Sequence, residues 1–213
     1  LPKGKVKKML PAEIEKRSFE IIEEEAGDHG FSNEQWAVVA RMIHTSADFE
    51  YIDTVRIHPG AIDAGVKAIR SGKMIFTDTR MALSGIRKRD LERFGGEVSC
   101  LIDDPEGAAR AERENTTRAH AAVDLAVDRM EGGICVVGNA PTALLRLLEL
   151  VKEKKATPAL IVGLPVGFVN AAESKAALVE SGWPHISNVG RKGGSNLAAA
   201  VVNALIILAG NKK

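Results

Sequence analysis

Between residues 11 and 48 the apolar positions fall at helical spacing, whereas from residue 74 to residue 210 short apolar runs alternate with amphipathic stretches. Pro11 at a first helical turn and Gly27 just past a last one bracket PAEIEKRSFEIIEEEAG as a helix. Ser32 with Gln35 three residues on is a capping-box pattern. From that cap Trp36, Val39, Ala40, Ile43 and Ala47 form the apolar stripe of a second helix. His44 lies on the flank of this stripe, and at about 100° per residue it shares a side with Arg41 and Asp48. A proton donor, a cation and an anion are therefore expected at one cleft.

The later runs KMIFT, EVSCLI, GICVVG, ALIVG and HISNV read as strands, and PTALLRLLELVKEKK and AAESKAALVES between them as helices. This alternation predicts an α/β fold with a doubly wound, mainly parallel sheet of about five strands. The strands are followed by DTRM, DDPEG, GNAPT, GLPVGF and GRKGGS respectively. In an open α/β sheet ligands bind beyond the carboxyl ends of the strands, so these loops share one candidate edge. Their Gly and Pro also serve ordinary turns; several such loops together favour a site.

A hydrophobic share of 45% and a charged share of 27% are those of an ordinary globular protein, and 213 residues suffice for one core. One domain over 1–213 is expected, with a helical segment at 11–48 carrying His44 and a sheet portion at 74–210. A net charge of +1 offers no general attraction to nucleic acid or an anionic membrane, so an acidic ligand has to be met by local cations. LAAAVVNALIILAG at 197–210 is too short to span a bilayer and contains Asn203, so it reads as a buried helix. Cys100 and Cys135 make no disulfide framework or metal pair. The chain opens without a basic, apolar, small-residue leader, which points to the cytoplasm.

No nucleotide fingerprint is complete: GNAPTA lacks the GxGxxG pattern and GRKGGS lacks P-loop spacing. The backbone amides of RKGGSN, opening the last helix, still suit a carboxylate or phosphate. His29, His44, His58, His120 and His185 are scattered without HExxH or paired Cys/His spacing, so no protein-bound metal is expected. A GxSxG nucleophile elbow is absent too. His29 reads as a turn residue, His58 as a loop residue before Pro59, His120 as structural and His185 as the start of a strand. His44 stands apart through its charged neighbours, since a histidine exchanges protons near neutral pH.

Six segments carry a more specific signal: RSFEII at 17–22, RMIHTSADFEY at 41–51, DTRM at 78–81, GNAPTAL at 138–144, PVGFVNAAESK at 165–175 and GRKGGS at 190–195. In this order they resemble the precorrin-8X methylmutase family, including its cobalt-precorrin-8 form, from about residue 11 to the end of the last helix. The resemblance implies a flavodoxin-like domain acting as a homodimer with no added cofactor. It also implies an isomerase that moves a methyl group from ring carbon 11 to ring carbon 12 of precorrin-8 or cobalt-precorrin-8, giving hydrogenobyrinate or cobyrinate. Any cobalt belongs to the substrate. The histidine of the R-x-x-H segment, here His44, is the implied catalyst, acting as a proton donor to the macrocycle in a 1,5-sigmatropic shift.

A flat ring fringed by carboxylates calls for apolar walls and a rim of separate anion contacts. Met81, Pro165, Val166 and Phe168, with Gly167 between the last two, are the expected walls. Arg41, Arg118 and Arg191 and the amides of Gly193, Gly194 and Ser195 are the expected rim. Ser18, Thr45, Thr79, Thr117 and Asn139 are the neutral hydrogen-bonding candidates. Where relatives often read NTRSAA this chain reads NTTRAHAA at 115–122, so Arg118 is carried over and His120 is not. Ser84 and Gly85 stand where an Ala-Gly pair is common after DTxM, and Glu173 and Lys175 fit a solvated helix face. Two other classes compete: a nucleotide- or phosphate-binding α/β enzyme using GRKGGS, and a non-catalytic tetrapyrrole carrier.

Overall fold

The computed structural model describes residues 10–211. In chain order the elements are α1 (Pro11–Ala26), α2 (Asn33–Ser46), α3 (Tyr51–Thr54), β1 (Val55–Ile57), α4 (Ala61–Arg70), β2 (Ile75–Thr77), α5 (Arg80–Gly85), α6 (Lys88–Glu92) and β3 (Val98–Ser99). There follow α7 (Pro105–Arg113), α8 (Arg118–Ala126), β4 (Ile134–Val137), α9 (Pro141–Lys152), β5 (Leu160–Gly163), α10 (Ala171–Glu180), β6 (His185–Asn188) and α11 (Ser195–Gly210). One sheet runs β1-β6-β5-β4-β2-β3, with every pairing parallel except β1 with β6.

The five expected strands all form, and their order β3-β2-β4-β5-β6 is that of a doubly wound, flavodoxin-like sheet. Six strands are present because Val55–Ile57 adds an antiparallel edge along β6, pairing Val55 with Asn188 and Ile57 with Ile186. Three residues with a charge at the centre give no apolar run to read. Being antiparallel, β1 begins where β6 ends, so the chain between α2 and β1 crosses the carboxyl edge of the sheet.

The helix ends follow the sequence signals. Ser32 Oγ accepts from Gln35 N at 3.3 Å while Gln35 Oε1 accepts from Ser32 N at 3.1 Å, closing the expected capping box. Pro11 occupies the first turn of α1, and Gly27 leaves that helix at φ 62°.

The four central strands β2, β4, β5 and β6 bury both faces. Ile75, Ile134, Val136, Leu160, Val162 and Ile186 point into the core beneath α2, α4 and α11. Phe76, Cys135, Val137 and Ile161 point into the core beneath α8, α9 and α10. Burial without a partner pushes the Cys135 thiol up to about 12, so it packs as an apolar group. Apolar on nearly every side, α11 lies against α2, α4 and α5. Among the described residues no helix is long and apolar enough to cross a membrane.

At the amino end of β6, buried His185 keeps its Nδ1 within 2.7 Å of the Trp183 carbonyl, with the His58 ring 5.8 Å away. Burial holds its pKa below the usual 6.5, aided by the neighbouring His58 and opposed by the Trp183 carbonyl. A histidine depressed in the folded state contributes stability that is complete above its unfolded pKa and is lost as pH falls toward its folded pKa. Urea midpoints measured from about pH 8 to pH 5 should therefore fall below pH 6.5 more steeply for the wild type than for His185→Gln; parallel curves would exclude this origin.

Candidate functional site

The parallel sheet reverses its strand order between β2 and β4, and the residue after β2 holds this crevice together. Asp78 is buried, and its carboxylate accepts from three successive amides of the loop after β4: Gly138 at 2.9 Å, Asn139 at 2.8 Å and Ala140 at 2.8 Å. Burial pushes this carboxyl's pKa up, while the three N–H groups work against that shift. Thr79 caps α5 through Ala82 N at 3.1 Å and lies 2.8 Å from Ser195 Oγ on the first turn of α11. A side chain on Gly138 would sit 2.6 Å from the Ser195 Cα, so glycine is what lets the loops after β2, β4 and β6 meet.

The loops after β5 and β6 are joined the same way. A Cβ on Gly193 would lie 2.3 Å from the Leu164 carbonyl, and Gly167 N donates to Arg191 O at 3.2 Å. Two expectations change here. Gly194 N donates to Leu164 O at 2.8 Å, so that amide is engaged inside the protein and does not face a ligand. Pro165 is buried under the Gly193 backbone and forms the floor of the loop, not a wall. Met81, Val166 and Phe168 are open as expected, at 68%, 43% and 86% exposure, and Val169 and Val189 extend this apolar surface. Arg191 lies over the Phe168 ring, 5.5 Å from its centroid.

His44 occupies the exposed last turn of α2, followed by exposed Thr45. Its ring stacks on Phe19 of α1 with centroids 4.9 Å apart and 10° between planes. Arg41 lies over the same ring at 5.1 Å and pairs with Glu15 at 3.2 Å. One aromatic side chain thus orients both. Ser18, half-buried beside Phe19, donates its hydroxyl to Ile14 O at 2.8 Å and keeps its lone pairs as acceptors.

Asp48 does not share the His44 face. Ala47 adopts the left-handed conformation at φ 53° with its N–H on Ile43 O, so α2 stops and the chain turns before Asp48. Ala47 itself is exposed, outside the apolar stripe. Asp48 and Glu50 instead each bind Lys192 Nζ at 2.6 Å, which holds the Lys192 pKa above its usual value. This bridge carries the segment after His44 across to the GRKGGS loop.

Thr117 caps α8 and meets Thr142 of the GNAPT segment, with hydroxyl oxygens 2.8 Å apart, leaving exposed Arg118 on the same side. Asn139 is exposed beyond its Asp78 contact. His120 is half-buried and lies 3.8 Å from Asp124. Glu173 is solvated, but Lys175 is 1% exposed, its Nζ donating to Asn188 Oδ1 at 3.1 Å and to the Lys192 carbonyl. The spacing of Ala171, Ser174, Lys175 and Leu178 is the signal that puts Lys175 on the buried face of α10. Asp78 had only its place immediately after a strand to mark it. Among the described residues no His, Cys, Asp and Glu cluster suited to a metal is present.

A groove of roughly 680 Å³ lined by Asn33, Ile62, Arg70 and Leu208 lies at the opposite, amino end of the sheet, away from these loops.

The family model described as Precorrin-8X methylmutase matches residues 13–208. A cobalt-precorrin-8 methylmutase of Priestia megaterium is 50% identical over 199 residues, covering 93% of this chain and 88% of that protein. One from Salmonella typhimurium is 47% identical over 202 residues, covering 92% and 94% respectively. The crystal structure of the Thermus thermophilus precorrin-8x methyl mutase superimposes with a TM-score of 0.87 at 50% identity, covering 93% of this chain and 96% of that one.

Removing the Asp78 carboxylate leaves three loop amides without their acceptor. Asp78→Ala should cost about 3 kcal/mol in unfolding free energy by urea titration, whereas Asp103→Ala, which frees only an exposed contact with Arg80, should leave the midpoint unchanged.

Proposed function

This chain belongs to the precorrin-8X methylmutase family and is a methyl-transferring isomerase of cobalamin biosynthesis, and we propose that His44 is its proton donor. The observation that carries this reading is the Lys192 bridge, which joins the segment after His44 to the loop at the start of α11. A proton-exchanging ring and a set of anion-binding groups then share the carboxyl edge of one sheet.

The chemistry asks little else of the protein. The bond from the migrating methyl to ring carbon 11 breaks as its bond to ring carbon 12 forms, with no net change in atoms or electrons. Protonation of a ring nitrogen, or a strong hydrogen bond to it, polarises the conjugated system and lowers the barrier. After migration the proton returns to the imidazole. No added cofactor has a task in this scheme, and cobalt, where present, is part of the substrate.

Met81, Val166 and Phe168 supply apolar surface for the ring, and Arg41, Arg118 and Arg191 with the amides of Gly193 and Ser195 supply carboxylate contacts. Thr45, Thr79, Thr117, Asn139 and Ser18 complete the polar rim, Thr79 and Thr117 doing so while capping α5 and α8. The Priestia and Salmonella proteins are named for the cobalt-containing substrate, which makes cobalt-precorrin-8 the first to test. The active species in this reading is a homodimer, which sedimentation tests directly.

Visible spectra of cobalt-precorrin-8 mixed with the protein follow formation of the corrin chromophore. His44→Ala should bind the substrate but lower kcat by about a hundredfold or more. Equal turnover by both proteins would remove the proton-donor role and leave the family assignment standing.

A further inference from the structure

The ammonium of Lys175 is buried at 1% exposure beneath the loop that opens α11. Its contacts are neutral oxygens, Asn188 Oδ1 at 3.1 Å and the Lys192 carbonyl, and among the described residues it forms no ion pair. Asn188 Nδ2 donates to the same Lys192 carbonyl at 3.0 Å, so the loop is fastened from below by two side chains. From above, the Lys192 side chain fastens it to Asp48 and Glu50. A buried cation with no bonded counter-ion is costly, and the Gly193 and Ser195 amides of the same segment are donors again. The missing partner is an anion.

We propose that Lys175 is a positioning residue for the substrate: it sets residues 190–195 as a receptor for a carboxylate on the macrocycle rim and, through Lys192, keeps that receptor in register with the helix carrying His44. This rests on the tetrapyrrole reading above and goes beyond it by giving the rim a buried electrostatic source. The anion settles over the loop, and the ammonium beneath it, which has no directly bonded carboxylate, favours it there.

Burial also brings the Lys175 pKa down to about 8, so part of this field is lost just above neutral pH. The other charged groups around it are Arg56 of β1, Glu173 and Glu180 of α10, and Arg191 and Lys192 of the loop itself. A bound carboxylate favours the charged ammonium, and binding near pH 8 therefore takes up a proton.

The test is the pH dependence of KM for cobalt-precorrin-8, followed by the corrin spectrum, in the wild type and Lys175→Met. At pH 7 the variant should show KM raised about tenfold with kcat changed less than about threefold, the loss belonging to binding. The wild-type KM should rise above about pH 8 while that of the variant stays flat. A wild-type KM in the variant, or parallel pH profiles, would overturn the role of Lys175 while leaving the methylmutase reading intact. Failure of the wild type itself to bind or convert the substrate would overturn both. Should Lys175→Met not fold, calorimetric titration of the wild type with cobyrinate at pH 8 in buffers of different ionisation enthalpy decides: net proton uptake supports the proposal, and none overturns it.

Discussion

One buried carboxylate sets the geometry on which the rest of the carboxyl edge depends. Asp78 collects three consecutive amides from a loop about sixty residues away, and so fixes the start of α9 against the end of β2. With that loop in place Gly138 touches the first turn of α11 and Thr79 reaches Ser195, which in turn brings the Gly193 backbone against Leu164. The loops after β2 and β4 are ordered by backbone donors, tight glycine contacts and the Asp78 charge, more than by apolar packing. Their surface is thereby free to present Met81, Val166 and Phe168 outward.

The proposed catalytic and binding groups come from different layers. His44 and Arg41 stand on a helix that packs over the sheet and are oriented by Phe19 from another helix, while the groups proposed to bind anions sit on loops at strand ends. Nothing covalent keeps these two sets in register. Beside the packing of α11 on α2, the connection is ionic, Lys192 held by Asp48 and Glu50, and its anchor on the loop side is the contact of Lys175 with the Lys192 carbonyl.

How much of this was legible in the chain follows from which forces act locally. The bounds of α1 and α2 were readable because Pro11, Ser32 and Gln35 satisfy helix ends within a few residues. The five parallel strands were readable from apolar runs, four of them buried on both faces. β1 was not, because its pairing with β6 is long-range and its centre is Arg56. Asp48 was misplaced because α2 ends at a left-handed alanine, where no glycine announces the stop. Lys175 was assigned to solvent on charge alone, although its helical spacing aligned it with buried Ala171 and Leu178. His44 stood out by its neighbours in sequence, whereas the ring that holds it, Phe19, belongs to another helix and left no periodic trace. The family resemblance is what singles these residues out; the packing shows how they are held.

α11 is at once the largest apolar element of one core and the residence of Ser195. Without this helix its place against α2, α4 and α5 is vacant, and one face of the sheet is left uncovered. Core closure and completion of the proposed carboxylate rim consequently depend on one and the same helix. Loss of this helix would therefore open the core and dismantle the proposed rim together, so the site in this reading cannot outlast the fold.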